Sequence, residues 1–600
     1  MAPPSLLSYL TAALSSPAVA STTHGTHPYS LTLLRSQPQR SHALFPHATN
    51  AGKCKVYHEE MLVVLSENRA VPKGATAGGQ VGEGAKDGKD KEQGPAAAGS
   101  GNDGEAAKKA DGGEVQQVAS TCDAALETAA ATPADAAPST ANGGDATAPA
   151  SEEQHPIPLV ALEATLYTVP STCTTLLYIS KVDTTGLSAS SPPPTRALVS
   201  AFIAYHLLHP PHGSTRVRIH IFARAQGQYL FPGSVDNEKK RVLDDKGLCR
   251  WWKGTVERGV KRVEEERKMA TAAALNDAAT PTPTNDDLRL FYLIPGLSYL
   301  ESIPYVPLPA PSLGPSLPLT PWSYSHPYFS LSSPLHSASI PPSALPLPDL
   351  IPAFPDDPKS RFLHSLTSSA VSSSGTEGDY DDVFLALSSM TFTTGQPLGA
   401  RKAAVEAEVE RERKRLTDGV PGGVEEWWER MAFRQECCSG QLVGFFVVAA
   451  GEPSPPTSSP SSSSAPALAP PPSPTKPHAA PRPAPHALAL RPPLYTKLWS
   501  TFHNQPYDLP SLPLLAAGLG KWRGDLERLT RLEASERRGE GKEMPEGEWK
   551  ALFEREVSRE FTVVGTAVAG VKRAAEGDKV PEAPKVNVLA PRKKKKKVEA

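Results

Sequence analysis

Two stretches of this chain cannot build a core, and they limit how much of it can fold. Residues 67–155 are mostly Gly, Ala, Lys, Asp and Glu with almost no large apolar side chain, and residues 451–494 are rich in Pro, Ser and Ala. Neither buries enough apolar surface to offset the entropy of ordering a backbone. Proline, at 63 of 600 residues, is about twice ordinary usage. A chain of this length would otherwise allow about four average domains, but the remainder supports one folded unit of roughly 300–350 residues. The boundaries follow: an N-terminal folded segment (1–66), an insert (67–155), a second folded segment (156–302), a Pro/Ser-rich loop (303–350), a third folded segment (351–450), a linker (451–494), and a C-terminal helical segment with a basic tail (495–600).

The formal charge of −2 excludes a molecule that is polybasic as a whole, although Pro591 to Lys597 concentrates bases at one end. The six cysteines (Cys54, Cys122, Cys173, Cys249, Cys437, Cys438) contain no C-x-x-C pair. They suggest neither a disulfide framework nor a zinc site, so a reducing compartment and no metal are expected. No run approaches the roughly 18 apolar residues of a membrane span. Leu6 to Ala20 has the apolar character of a secretion signal without its basic start, and reads as a short amphipathic helix ending near Pro17.

Branched and aromatic residues predict strands at Tyr29 to Leu34, Cys54 to Leu65, Leu159 to Tyr167, Thr175 to Ser180, Val217 to Phe222 and Leu288 to Ile294. Helical periodicity predicts helices at Arg196 to Leu208, Asp244 to Ala274, from Pro358, at Arg401 to Arg415, Val424 to Cys438, Lys521 to Arg538 and Glu546 to Arg559. Residues 303–353 read as surface chain without regular structure. Strands interleaved with helices, with no β-α-β rhythm, indicate a mixed α/β (α+β) domain: a central mixed sheet flanked by helices and interrupted by long inserts.

Three segments place polar or aromatic residues at the ends of apolar elements. In the first, the strand through Tyr178 runs into Lys181, Val182, Asp183, Thr184 and Gly186, which also describes an ordinary turn. The second carries Phe222, Gln226, Tyr229, the cations Lys239, Lys240 and Arg241, and then Trp251-Trp252. Cations and amides can hold phosphates and a Tyr/Trp pair can wall an apolar slot, but a solvated basic loop beside core aromatics reads the same way. In the third, Phe354 to Phe362, Pro358 fits the first helical position and Asp357 the N-cap, with Asp356 adding charge beside it. Capping alone accounts for both carboxylates.

Together and in this order, these segments resemble the fungal histone H3 lysine acetyltransferases that modify the H3 core domain during chromatin replication, structural relatives of the CBP-type enzymes. The matching stretches are YISKVDTTG, FARAQGQYLFPGS with the downstream KKRVL and WW, FPDDPKSRF, EEWWERMAFRQE and the terminal LAPRKKKKK. With intervening chain they span most of 28–65, 156–300 and 350–450.

The resemblance implies a single acetyltransferase domain with acetyl-CoA as cosubstrate. It implies binding through Val182, Asp183 and Thr184, the helix start Arg196, Ala197, Leu198, Val199 and Ser200, and Phe222, Gln226, Arg241, Val242, Leu243 and Trp251. It places the catalytic carboxylate at Asp357, supported by Asp356, Asp183 and Trp252, with Tyr229 beside them, and an autoacetylated lysine at Lys359. Its implied partners are histone H3–H4 and histone chaperones of the nucleosome-assembly-protein and anti-silencing types, with neither a membrane nor direct nucleic-acid binding required. The implied location is the nucleus, with a role in nucleosome assembly and the DNA damage response.

An aspartate near pKa 3.9 is about six units too acidic to be an efficient base for a lysine near 10.4, so Asp357 has a rival role as the cap that orients Lys359. Backbone amides of the Tyr229 loop are candidate oxyanion donors, and acetylation of Lys359 is expected to neutralise a cation beside the phosphate site. A non-enzymatic chromatin scaffold on a degenerate acetyltransferase core is the competing expectation. A small-molecule N-acetyltransferase is disfavoured by the lack of a Gly/Arg-rich pyrophosphate loop.

Overall fold

Runs of Val, Leu, Ile and Tyr that alternate their side chains between two faces form the centre of the molecule. The computed structural model describes residues 4–48, 54–70, 154–188, 193–274, 287–307, 320–367, 420, 423–433, 441–452, 482–538 and 544–566. Its strands are β1 (Thr26–Arg35), β2 (Gln39–Ser41), β3 (Val56–Ala70), β4 (Gln154–Val169), β5 (Thr174–Thr184), β6 (Arg216–Ala223), β7 (Arg289–Leu293), β8 (Trp322–Tyr324), β9 (Gly444–Ala450) and β10 (Ser558–Val564). They form one ten-stranded sheet in the order β10-β1-β3-β4-β5-β6-β9-β7-β8, with β2 on β3. β5 with β6 and β7 with β8 run parallel; the other pairs are antiparallel.

One face of the sheet is covered by α1 (Leu6–Leu14), α2 (Thr195–Leu208) and α3 (Asp245–Ala274). Leu33, Val63, Leu162, Ile179, Ile219 and Phe446 enter that core with Leu10, Phe202 and Val256. The neighbouring residues Leu34, Leu62, Val64 and Ala161 point the other way. They pack on helices α6 (Pro492–His503), α7 (Leu512–Arg538) and α8 (Glu546–Glu556). Further along this second face, Tyr178 meets Phe354, and Phe445 meets α4 (Pro358–Thr367) and α5 (Gly423–Met431). Ser5 caps α1 by accepting the Ser8 amide at 3.3 Å. Among the described residues no helix is long and apolar enough to cross a membrane.

The structure corrects several sequence expectations. β3 continues to Ala70 and β4 starts at Gln154, so both strands run into the segment read as insert and pair there, Ala70 against Gln154. The 303–350 loop contains β8 and single turns of 3-10 helix at Pro327–Phe329, Pro342–Ala344 and Leu347–Asp349. The 351–450 segment, expected to be helical, contributes β9 to the middle of the sheet. The last expected helix stops at Glu556, and β10 follows it to close against β1. The expected helix at Arg401 to Arg415 and the basic tail lie outside the described residues.

Candidate active site

Joining two parallel strands requires a crossover, and here α2 carries the chain from β5 to β6. Both strands therefore end on the same edge of the sheet, the usual place for a ligand cleft in such an arrangement. A cavity of about 1120 Å³ opens there, slightly above the roughly 300–1,000 Å³ common for ligand sites. Its walls are the end of β5 (Val182, Asp183, Thr184), the start of α2 (Arg196), Phe222 at the end of β6, the loop through Gln226, Tyr229 and Arg241 to Leu243, and Trp251 and Trp252 on α3. Asp244 starts α3 by accepting the Gly247 amide at 2.7 Å, which fixes the two tryptophans in the wall.

Asp183 organises this cleft. Its Oδ2 accepts the amides of Tyr229 (2.7 Å), Leu230 (2.9 Å) and Phe231 (3.3 Å). Its Oδ1 accepts the Thr184 amide at 2.8 Å and the Lys240 ammonium at 2.9 Å. One carboxylate thus ties the end of β5 to both ends of the cationic loop. The amides of Tyr229, Leu230 and Phe231 all donate to Asp183, so these three candidate oxyanion donors are already engaged. The Tyr229 hydroxyl donates to the Arg224 carbonyl and accepts the Gln226 amide. Burial pushes its pKa up to about 12, which keeps the phenol protonated near neutral pH.

Gly186 has φ +74°, and a Cβ there would stand 2.6 Å from the Lys240 amide nitrogen. Only glycine lets the two walls approach so closely. The C-terminal segment braces them from outside: Asn237 donates to the carbonyls of Thr185 (2.7 Å) and Tyr507 (2.8 Å) and accepts the Leu509 amide (2.8 Å). His503 sits 3.1 Å from the Leu230 carbonyl.

Among the described residues the lining holds eight cations (Lys181, Arg196, Arg224, Lys239, Lys240, Arg241, Arg250 and Arg258) against one carboxylate, Asp183. Arg196 lies 5.9 Å from the centre of the Trp251 ring, and its buried Nε has no hydrogen-bond partner among the described residues. Burial, and then the like charge of Arg258, lower its pKa from the usual value; an anion between the two would relieve both effects. Among the described residues no side chain caps the start of α2, and uncapped first-turn amides favour negative charge. The residues therefore fit an elongated polyanion with an apolar end. Ala197 to Ser200 are absent from the lining, and the Leu198, Val199 and Ser200 side chains are buried.

The PDDP turn lies behind this cleft. Asp356 adopts φ +57°, which turns the chain so that Pro358 can begin α4. Asp357 is fully buried and accepts the Lys359 amide at 2.9 Å through Oδ1, the capping bond. Its Oδ2 pairs with the Lys359 ammonium, and that ammonium lies 4.4 Å from the centre of the Phe445 ring. Phe445 stacks on Phe222 at 5.0 Å, and Phe222 lines the cleft. Asp357 and Lys359 are absent from the cleft lining and border a second, smaller pocket with Tyr178, His220, His326 and Trp428. Lys359 is thus not one of the cations that line the cleft. No local pattern marks His220, His326 or Tyr178 as neighbours of the pair, because separate strands and turns bring them together. Among the described residues no group of three or more His, Cys, Asp or Glu is arranged to hold a metal.

A family model described as a histone acetyltransferase KAT11-type domain matches residues 195–512, from α2 into the start of α7. The chain is similar to "Histone acetyltransferase rtt109" of Aspergillus flavus, 31% identical over 284 residues that make up 46% of this chain and 43% of that one. It is also similar to the protein of the same name from Schizosaccharomyces pombe, 27% identical over 274 residues, 46% of this chain and 52% of the other. The chain thus spans about half the length of the curated relatives it matches. The crystal structure of Rtt109 from Aspergillus fumigatus superposes with a TM-score of 0.47 at 18% identity, over 93% of this chain and 99% of that one. With more than half of its length matched by the family model, the chain belongs to the KAT11-type histone acetyltransferase family.

Proposed function

We propose that this protein transfers the acetyl group of acetyl-CoA to a lysine of histone H3 in the core-domain αN helix, with N-terminal tail lysines as alternative acceptors. The carrying observation is the cationic, tryptophan-walled cleft at the carboxyl ends of β5 and β6, with a buried aspartate–lysine pair behind it. Acetyl-CoA supplies the activated thioester. Arg196, Arg241 and the open first turn of α2 hold its anionic part, and Val182, Thr184, Phe222, Gln226, Val242, Leu243 and Trp251 line the path of the rest. Trp252 and Tyr229 form a wall that desolvates the incoming amine and so favours its neutral form. Holding amine and thioester in contact supplies the entropic part of the acceleration.

Asp357, outside the cleft lining, is the acceptor to which the amine proton is relayed past Phe222, and it also fixes the start of α4. Asp356 sets the turn that presents it, and Asp183 holds the loop that carries Tyr229. Lys359 is the site of autoacetylation. An acetyl group there removes the charge paired with Asp357 and frees its Oδ2 for the substrate's proton. The protein works on H3–H4 delivered by chaperones of the nucleosome-assembly-protein and anti-silencing types, in the nucleus, during nucleosome assembly and the DNA damage response.

The test is incubation of H3–H4 and labelled acetyl-CoA with the full chain, with and without each chaperone, followed by mapping of the acetylated sites. Label on H3, lost in Asp357→Ala while acetyl-CoA still raises the melting temperature, is the expected result. Absence of transfer under every condition, with acetyl-CoA binding retained, favours a scaffold.

A further inference from the structure

The small pocket beside Asp357 and Lys359 has room for about 10 Å³, roughly the space of one water. Two imidazoles on its wall carry buried nitrogens with no hydrogen-bond partner among the described residues, Nε2 of His220 and Nδ1 of His326. Buried polar atoms nearly always have partners, and ordered water is a common one. The two histidines differ in what lies behind them. His220 is buried on β6 against Phe354, 5.0 Å between ring centres. His326 spans the wall: its other nitrogen, Nε2, lies 3.2 Å from Oε1 of Glu425, whose side chain is 66% exposed. Near-parallel stacking on Trp428, 5.7 Å and 10°, fixes the ring in this orientation.

Acetyl transfer to a lysine ammonium forms one C–N bond and breaks one C–S bond. The nitrogen gives up two protons in all; the departing thiolate keeps one, and the other must reach bulk water in every turnover. Asp357 has no exposed surface, and a bound cofactor would cover the cleft on the other side of Phe222. We propose that His326 and Glu425 are the proton exit of this site. The proton held by Asp357 passes through a water in the small cavity to Nδ1 of His326, while the proton on Nε2 passes to Glu425 and into solvent. This rests on the reading of Asp357 as the base. The charged and titratable groups facing His326 are Glu425 from α5, Asp357 and Lys359 from the start of α4, His220 from β6, Tyr178 from β5 and Tyr328 from its own turn.

The test compares Glu425→Gln, His326→Gln and Asp357→Asn in the full chain, acting on H3–H4 with acetyl-CoA, in dilute buffer and with added imidazole. For Glu425→Gln and His326→Gln we expect kcat to fall about 100-fold or more in dilute buffer, within the range of general acid–base effects. KM for acetyl-CoA should stay unchanged, and kcat should recover as imidazole rises, whereas the wild type shows no such dependence. Glu425 is a surface side chain, so its variant decides the matter if His326→Gln fails to fold. Wild-type kcat in dilute buffer for Glu425→Gln, or a loss that imidazole does not restore, overturns the exit. If Asp357→Asn keeps wild-type turnover, the base reading fails. If Asp357→Asn is inactive while the other two are normal, only the exit fails.

Discussion

The Asp183 carboxylate and the Lys240 ammonium meet at 2.9 Å with side chains only 4% and 3% exposed. A buried ion pair holds its place only when its remaining lone pairs and protons are satisfied. Here three loop amides and the Thr184 amide complete the carboxylate, and the Ser234 hydroxyl accepts from Lys240 at 2.6 Å. Asp183→Ala leaves Lys240 charged and uncompensated, and we expect a loss of about 3–5 kcal/mol in denaturant unfolding. Calorimetry should show acetyl-CoA binding lost in parallel. Replacing Lys240 with Met in the same chain should restore part of the stability and little of the binding.

Gly186 tests the closeness of the cleft walls. Gly186→Ala meets both a positive φ and the Lys240 backbone, so either the turn or the cationic loop must shift. We expect a destabilisation above about 1 kcal/mol and weaker acetyl-CoA binding. Gly254 on α3, where a Cβ meets nothing within 4 Å, is the control: Gly254→Ala should be neutral or stabilising.

Asp356 contributes a backbone conformation as well as a charge. Asp tolerates the left-handed region and Gly prefers it, while a β-branched residue does not. Thermal unfolding should therefore find Asp356→Gly at least as stable as the wild type, and Asp356→Val lower by about 1–2 kcal/mol. An equal loss in both would assign the effect to the carboxylate charge.

Acid should weaken the fold before its carboxylates titrate. Burial lowers the His206 pKa to about 3 and holds His220 well below the usual value. Unfolded histidine binds a proton near pH 6.5. Below that pH the unfolded chain therefore takes up protons that the native chain refuses, and stability falls as pH falls. The loss for His206 continues down to about pH 3. For His206 the limit is about 1 kcal/mol per pH unit, where the unfolded group is protonated and the native one neutral. Melting temperatures between pH 6.5 and 5 should fall, and His206→Gln should remove one group's share of that slope. Above pH 7 the variant and the wild type should show parallel curves.

Elements with a strong local pattern were legible in the sequence: β6, with Val217, Ile219 and Ile221 turned to one core and Arg218 and His220 to the other face, shows a clean period of two. β9 was not. All seven of its residues, Gly444–Ala450, are buried, so it has no polar alternation, and its partners β6 and β7 lie more than a hundred residues earlier. β10 was hidden differently, because Arg559 and Glu560 continue the charged pattern of the helix before it. Within the site, the turn chemistry at Asp357 and Pro358 is local and readable. The grip of Asp183 on amides 46 to 48 residues away depends on the crossover and is not.

The pairing of β10 with β1 has a consequence for biosynthesis. Thr26 to Thr32 find their partners only at Ser558 to Val564, more than five hundred residues later. At about 5–20 residues per second, the ribosome takes on the order of a minute to deliver them. During that interval a nascent chain displays an apolar strand with unpaired amides, a template for pairing with other chains. Slow, discontinuous assembly of this kind makes yield in a cell depend on holdase capacity, and shortened genes that stop before Ser558 should give aggregates in place of a smaller native protein.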